Sequence, residues 1–159
     1  MSGVPHLPPS PSSSKYPIAY LEIRVFSHAT EDMTKVEAAV KNTLPEALAA
    51  EVVFNKTNCV GHHGNPIVLM ETKLTNKQAL PSALEKIASG LSSLDKEQLN
   101  DEIQTHIEKH NLYLRFDKQS AFLGTLKIAH DDPIHFKIHF KNKTSNEIMD
   151  ICRQAGLLL

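Results

Sequence analysis

Basic and histidine side chains alternate with apolar ones without a break in residues 134–141. A β-strand sends successive side chains to opposite faces, so one face of this segment would be core and the other cationic. Residues 112–117 and 125–129 repeat the alternation. If the three strands share a sheet, its polar face carries Tyr113, Arg115, Lys127, His135, Lys137, His139 and Lys141.

This predicted face suits a polyanion such as RNA. Lys and Arg bind phosphate groups, and aromatic or imidazole rings stack on unpaired bases or contact 2′-hydroxyls. The alternative is an ordinary solvated face, since antiparallel sheets often leave one side in water. Few acidic residues interrupt the segment, which favours RNA. Because unperturbed imidazoles titrate near pH 6.5, acidification from about pH 7.5 to 6 is expected to tighten binding through His135 and His139.

A loop rich in glycine and histidine lies between two predicted strands, at residues 61–66. Its glycines permit backbone torsions that other residues avoid, and Pro66 stiffens the exit. His62, His63 and Asn65 would then be able to contact phosphate or ribose. A plain hairpin turn that tolerates histidines explains the loop equally well.

Two patterns resemble metal sites, and both are incomplete. Cys59 and His62 have the spacing of zinc ligands, but the other cysteine, Cys152, is remote in sequence. His106 and His110 lie four apart on a possible helix, yet they fall on its apolar stripe. We therefore expect no metal and no cofactor.

The acidic pairs at residues 31–32 and 131–132 are the candidates for catalysis, because carboxylates can hold Mg²⁺ for RNA hydrolysis. A helix start and an Asp-Pro turn account for them better. The chain has no glycine-rich phosphate loop, serine-nucleophile motif or dinucleotide fingerprint. A non-catalytic protein is expected, and a metal-dependent RNA hydrolase is the minor alternative.

Composition indicates one globular domain with separated charge. The chain has 159 residues and a formal net charge of −1, but residues 109–143 hold seven bases and three acids. Residues 1–16 are rich in proline and serine and are predicted to be a disordered tail, which leaves residues 17–159 as a single α+β domain. Two cysteines suit a reducing cytoplasm, and no apolar run approaches the roughly 20 residues of a membrane span.

Periodicity predicts the element order β-α-β-β-α-α-β-β-β-α. Strands are expected at residues 18–27, 52–58 and 67–74, and a helix capped by Thr30 is expected to run to about residue 42. A second helix is expected from about residue 95, and a helical turn near residues 118–123. A capping box at Thr144 and Glu147 opens a last helix that ends at Gly156. One helical stripe comprises Leu80, Leu84, Ile87, Leu91 and Leu94. The predicted fold class is α+β, with a largely antiparallel β-sheet and helices packed on one face.

Five short motifs, together with their order along the chain, resemble those of an archaeal family of small RNA-binding proteins that are described as predicted exosome subunits. The resemblance covers about residues 18–159. The motifs are Ser27-His28-Ala29-Thr30-Glu31-Asp32, the loop Gly61–Ile67, Asp117-Lys118-Gln119, Leu123-Gly124 and Asp132-Pro133-Ile134.

The resemblance implies a fold similar to that of the ribosomal protein that binds 5S RNA. It also implies RNA binding without a defined catalytic residue set, and it adds Lys118 to the candidate RNA contacts. Exosome or ribosome components are the further expected partners. The alternative of another class is an adaptor that docks on a larger complex through its acidic helical half, residues 31–108, without touching RNA.

Overall fold

The computed structural model describes residues 16–159, except for the side chain of His62. Within this range a six-stranded antiparallel sheet has the order β2-β3-β1-β6-β5-β4. The strands are β1 Ile18–His28, β2 Asn55–Val60, β3 Pro66–Leu74, β4 Ile107–Glu108, β5 Asn111–Phe116 and β6 Ile134–Phe140. The two central strands, β1 and β6, therefore come from opposite ends of the domain.

Helices of the described range cover one side of this sheet. They are α1 Met33–Asn42, α2 Glu46–Ala49, α3 Leu80–Gly90, α4 Ser93–Asp101, α5 Ile103–His106, α6 Lys118–Phe122 and α7 Ser145–Ala155. Alternate residues of β1, β5 and β6 point toward these helices and form the core, as with Ile23, Leu114 and Phe136. The predicted α+β class with one-sided helix packing is confirmed.

Local signals in the sequence set several helix ends as predicted. The Thr144 hydroxyl accepts from the Glu147 N–H, while the Glu147 carboxylate accepts from the Thr144 N–H. Helix α7 ends at Gly156, whose φ of 87° is left-handed and favours glycine. Asp117 caps α6 by accepting from the Ser120 N–H at 2.8 Å.

Two helix predictions are wrong in detail. Asp32, and not Thr30, caps α1, because its carboxylate accepts from the Thr34 N–H at 3.0 Å. The leucine stripe does not continue through one helix. The chain is extended at Leu91, and Ser92 caps a new helix by accepting from the Asp95 N–H. Leu94 is 73% exposed as a result.

Residues 125–129 do not form the predicted strand. The segment makes one isolated bridge to β5, between Ile128 and Phe116. The Ile128 N–H donates to the Asp95 carboxylate at 3.0 Å, a side chain outside the sheet. The two ladder bonds that flank the bridge do form, from the Asp117 N–H to the Lys127 carbonyl and from the Ala129 N–H to the Arg115 carbonyl. Pairing goes no further because β5 ends at Phe116 and residues 118–122 form α6.

The amino-terminal boundary stays a prediction, since residues 1–15 lie outside the described range. Tyr16, which we assigned to the tail, is 1% exposed and belongs to the core. Every helix within residues 16–159 is too short or too polar to span a bilayer.

Candidate nucleic-acid interface

The side of the sheet away from the helices is polar and is called the outer face below. Strand alternation and register place its residues on four neighbouring strands. They are Tyr20, Glu22, Arg24, Phe26 and His28 on β1, Leu69, Glu71 and Lys73 on β3, Asn111, Tyr113 and Arg115 on β5, and His135, Lys137 and His139 on β6.

Cross-strand register arranges the charged residues in two rows. The first row runs Arg115, His135, Arg24, Glu71 across β5, β6, β1 and β3. The second runs Tyr113, Lys137, Glu22, Lys73 across the same strands. Directly opposed side chains lie about 5 Å apart, so each row is a continuous contact surface.

Two carboxylates lie within these rows and pair with two of the bases. Arg24 Nε is 3.2 Å from Glu71 Oε2, and Lys137 Nζ is 3.6 Å from Glu22 Oε1. All four side chains are between one third and about half exposed, so these are surface ion pairs of modest strength. The outer face is therefore a mixed surface with an excess of positive charge.

Arg115 and Lys73 supply that excess. Both are exposed, and neither has a carboxylate partner among the ion pairs of residues 16–159. They lie at opposite ends of the two rows, on β5 and β3. Phosphate groups would find charge-assisted hydrogen bonds at both positions without breaking an existing ion pair.

Aromatic and imidazole rings cluster at one end of the outer face. Tyr20 and His139 stack with centroids 4.6 Å apart and planes within 10°. Lys73 Nζ lies 4.3 Å from the Tyr20 centroid, and because His139 covers one side of the ring, the ammonium lies over the other. His139 Nδ1 also hydrogen-bonds to Asn111 Oδ1 at 2.7 Å, which fixes the imidazole.

The two β6 histidines are held in the neutral form. Burial, together with the positive charges of Arg115 and Arg24, lowers the pKa of His135. Burial also lowers the pKa of His139, and His110 and neighbouring lysines act in the same direction. A polyanion would oppose these effects, since negative charge favours the protonated imidazole.

Lys137 is held in the charged form. Burial favours its neutral amine, but attraction to Tyr20, Glu22 and Tyr113 outweighs burial and raises the pKa of Lys137. Its ammonium therefore remains a permanent cation at the centre of the outer face.

The predicted site residues fall into two groups. Tyr113, Arg115, His135, Lys137 and His139 lie together on the outer face, as the alternation predicted. Lys127 lies outside the sheet, close to Asp117. Hydrogen bonds from Ser120 are the main cause of the lowered pKa of Asp117, and the positive charge of Lys127 makes a smaller contribution. Lys141 follows β6 as an exposed residue.

Lys118 belongs to a different structure, an ion cluster at one end of the sheet. Its Nζ donates to the Phe26 carbonyl at 2.7 Å and contacts Asp132 Oδ2 at 2.7 Å and Glu31 Oε1 at 3.0 Å. His28 Nε2 lies 3.0 Å from Asp132 Oδ2. The Lys118 side chain is only 12% exposed, so its charge is already neutralised inside the protein.

This cluster also changes the interpretation of the acidic pairs. Glu31 and Asp132 come from separate pairs and meet at His28, with ligand atoms within 4.8 Å of one another. The Lys118 ammonium contacts both carboxylates and so compensates their charge. The prediction that His106 and His110 share a helix is wrong, because His106 ends α5 and His110 lies in the turn between β4 and β5.

The glycine-histidine loop lies at the tip of the β2–β3 hairpin, at the edge of the sheet opposite β4. The Gly61 N–H donates to the Asn65 carbonyl at 2.7 Å and closes the turn. His63 adopts a left-handed φ of 60°, and both His63 and Asn65 are exposed. The side chain of His62 lies outside the described part of the structure, so a role for this loop in binding stays a prediction.

Sequence reasoning missed the contribution of β1 and β3 to the outer face. Tyr20, Glu22, Arg24, Glu71 and Lys73 were not among the predicted site residues. The alternation in β1 held the signal, since every second residue from Tyr20 points away from Leu21, Ile23 and Val25. Only the register with β6 shows that these residues adjoin Lys137 and His135.

Comparison with known proteins identifies the family. A family model described as RNA binding matches residues 20–140. A Pyrococcus abyssi protein named as an RNA-binding protein is 34% identical over 124 residues, which cover 76% of this chain and 80% of that protein.

Solved structures share the fold. A DUF54 protein from Methanothermobacter thermautotrophicus aligns with a TM-score of 0.70 and 28% identity, over 89% of this chain and 98% of that one. A DUF54 protein from Archaeoglobus fulgidus aligns with a TM-score of 0.72 and 24% identity, over 87% and 99%. The expected likeness to the ribosomal 5S-RNA-binding protein and the link to the exosome stay predictions. The extent of the family match and the identity to the Pyrococcus protein show that this chain belongs to the family whose model is described as RNA binding.

Proposed function

We propose that this protein binds RNA on the outer face and does so without catalysing a reaction on it. The observation that carries the proposal is the open side of the sheet, where Arg115 and Lys73 flank rows of histidine, lysine and tyrosine. The family description and the name of the Pyrococcus relative support RNA as the ligand. We further propose that the protein acts beside RNA-processing machinery such as the exosome, or beside the ribosome.

Each group on the outer face has a distinct role in this proposal. Arg115 and Lys73 bind phosphates, because both are exposed and have no acidic partner to give up. Lys137 and Arg24 contribute less, because each must exchange a carboxylate for a phosphate. His135 and His139 are neutral at pH 7 and act as hydrogen-bonding or stacking groups rather than as cations.

The ion cluster argues against a metal-dependent RNA hydrolase. Hydrolysis of that kind needs carboxylates free to bind Mg²⁺. Within residues 16–159, Glu31 and Asp132 come together at His28, and the Lys118 ammonium lies within 3.0 Å of both carboxylates. A metal ion would have to displace a cation that is already hydrogen-bonded to the protein.

The test compares two double variants that remove equal charge. Arg115→Gln with Lys73→Gln removes the free bases of the outer face, and Lys41→Gln with Arg153→Gln removes two bases from helices α1 and α7. Binding of fluorescently labelled RNA is measured by anisotropy across a salt series. The logarithm of the binding constant falls linearly with the logarithm of the salt concentration, and on single strands each lost phosphate contact makes this slope shallower by about 0.7. The slope of the outer-face variant is therefore expected to be shallower than that of wild type by about 1.4.

The control variant is expected to keep the wild-type slope and to bind within about twofold of wild type. Equal losses in both variants would show that RNA follows overall charge and not the outer face. An adaptor that does not contact RNA would show no measurable binding in any of the three proteins.

A further inference from the structure

We infer that the outer face is built for unpaired RNA and that it receives a base in the groove between β1, β3, β5 and β6. This inference rests on the proposed function. It adds the class of RNA and the way in which the protein contacts it. Three features of the outer face support the inference: a groove, the carboxylates within that groove, and the Tyr20 ring, on which a base can replace the Lys73 ammonium.

The groove is large enough for a planar ring and is lined by complementary groups. Its volume is about 440 Å³, and its lining residues are Glu22, Arg24, Glu71, Tyr113, His135, Phe136 and Lys137. Sites that bury a flat ligand are concave and combine apolar surface with a few placed polar groups. Tyr113 supplies a ring at one wall, and the remaining walls supply both hydrogen-bond donors and acceptors.

The carboxylates decide between unpaired and duplex RNA. A duplex keeps its bases paired and presents its phosphate backbone to an open protein surface. A phosphate gains little in the groove, because Glu22 and Glu71 already occupy Lys137 and Arg24. An unpaired base instead exposes amino groups on its Watson–Crick edge, and a carboxylate accepts hydrogen bonds from them. Arg24 and Lys137 are already paired with these acids and can donate to base oxygens or ring nitrogens beside them.

Tyr20 offers a second position for a base. His139 covers one side of its ring, and two ammonium groups lie over the ring, that of Lys73 at 4.3 Å from the centroid and that of Lys137 at 5.8 Å. A cation over an exposed ring is held weakly, and the lysine stem is flexible. A base can take the place of the Lys73 ammonium on Tyr20, which frees this lysine for the phosphate of the same nucleotide. Every base has a face for such stacking, so this contact does not depend on sequence.

The test uses three RNA probes of equal length with the full chain: a labelled single-stranded 12-mer, the same 12-mer annealed to its complement, and a 12-mer in which every ribose lacks its base. The single strand is expected to bind at least about tenfold more tightly than the other two, because only it offers unpaired bases. Duplex binding as tight as that of the single strand, or equal binding of the abasic probe, would overturn the inference and leave the proposed RNA function standing. Binding of none of the probes would overturn both.

A variant series locates the base contact. Tyr113→Leu keeps a residue that a strand tolerates and removes the ring, and it is expected to weaken single-strand binding by roughly 5-fold to 150-fold, the range for one lost stacked base. Tyr113→Phe is expected to retain most of the affinity. Phe122→Leu is the matched control, since Phe122 is a 40% exposed ring on α6 outside the outer face. Unchanged affinity in Tyr113→Leu, with the circular dichroism spectrum of wild type, would exclude Tyr113 from the base contact and overturn the placement.

Discussion

Lys118→Ala tests whether the ion cluster stabilises the fold. The change removes an ammonium that contacts the Phe26 carbonyl, Glu31 and Asp132 at 2.7–3.0 Å. It leaves two carboxylates and an imidazole close together without their cation. Because Lys118 joins α6 to the end of β1 and to the turn before β6, the loss affects three segments that are distant in sequence.

The expected loss of stability in Lys118→Ala follows from how exposed the three charged side chains are. Breaking a buried pair costs about 3–5 kcal/mol, while exposed pairs contribute about 0–1 kcal/mol. The Lys118 side chain is 12% exposed, but those of Glu31 and Asp132 are 31% and 42% exposed. We therefore expect a loss of about 2 kcal/mol in the free energy of unfolding. For a domain of this size that corresponds to a fall in Tm of roughly 6–8 °C.

Thermal unfolding followed by circular dichroism provides the measurement, with Lys41→Ala as the control because Lys41 is an exposed lysine of α1. The control is expected to unfold within about 1 °C of wild type, since surface substitutions outside such features change stability little. A Tm for Lys118→Ala that equals the control would refute the claim that the cluster stabilises the fold.

A divalent cation extends the same experiment. In Lys118→Ala the ligand atoms of His28, Glu31 and Asp132 remain within 4.8 Å of one another without the competing ammonium. Millimolar Mn²⁺ is therefore expected to raise the Tm of this variant, because a ligand that binds only the folded state stabilises it. Wild type is expected not to respond. An equal rise in both proteins would show that Lys118 does not exclude the metal.

Three further predictions concern protonation, packing and thiol chemistry. Since the pKa values of His135 and His139 are lowered, RNA affinity should be flat from pH 8 to 7 and rise only below about pH 6.5. The stability of the free protein should fall over the same acidic range, because the unfolded chain binds more protons than the folded one. Fluorescence anisotropy and urea unfolding at each pH measure the two effects, and a variant with both His135→Gln and His139→Gln should lose both. Gly61→Ala should destabilise by about 1–2 kcal/mol, because a Cβ would lie 2.2 Å from Ile67 Cδ1. In urea unfolding, Gly61→Ala should cost less in a chain that already carries Ile67→Ala, since that change removes the clashing atom. Burial raises the pKa of the Cys152 thiol to about 12, so iodoacetamide at pH 8.5 should leave it unmodified until urea is added, and mass spectrometry of the native protein would detect any exception.

Local periodicity was sufficient to predict the outer face of β5 and β6. Side chains alternate with a period of two, so a run such as residues 134–140 assigns each residue to a face without knowledge of its neighbours. The same logic failed for residues 125–129, where two apolar residues alternate with polar ones but the chain beyond the end of β5 forms α6 and offers no strand to pair with. Alternation over so few residues does not distinguish a strand from an extended loop.

The composition of the whole site required tertiary register, which periodicity does not contain. Glu22 and Glu71 are ordinary outward residues in their own strands, and they matter because register places them beside Lys137 and Arg24. Lys118 is a similar case, since its position in a helical turn gives no sign that Glu31 and Asp132 will meet it. Glu31, Lys118 and Asp132 each lie in one of the short motifs that indicated the family, but the sequence gives no sign that these motifs meet in one ion cluster.

A net charge of −1 is compatible with RNA binding because a polyanion responds to local and not to total charge. Charges separated by more than about 8–10 Å are largely screened at physiological salt, so acids on the helical side of the sheet have little effect on a phosphate at the outer face. On the outer face Arg24, Lys73, Arg115 and Lys137 stand against two acids. So small an excess supports only a few phosphate contacts, and the remaining affinity must come from bases. A weak dependence of binding on salt, combined with a strong dependence on Tyr113, is therefore what this surface should show.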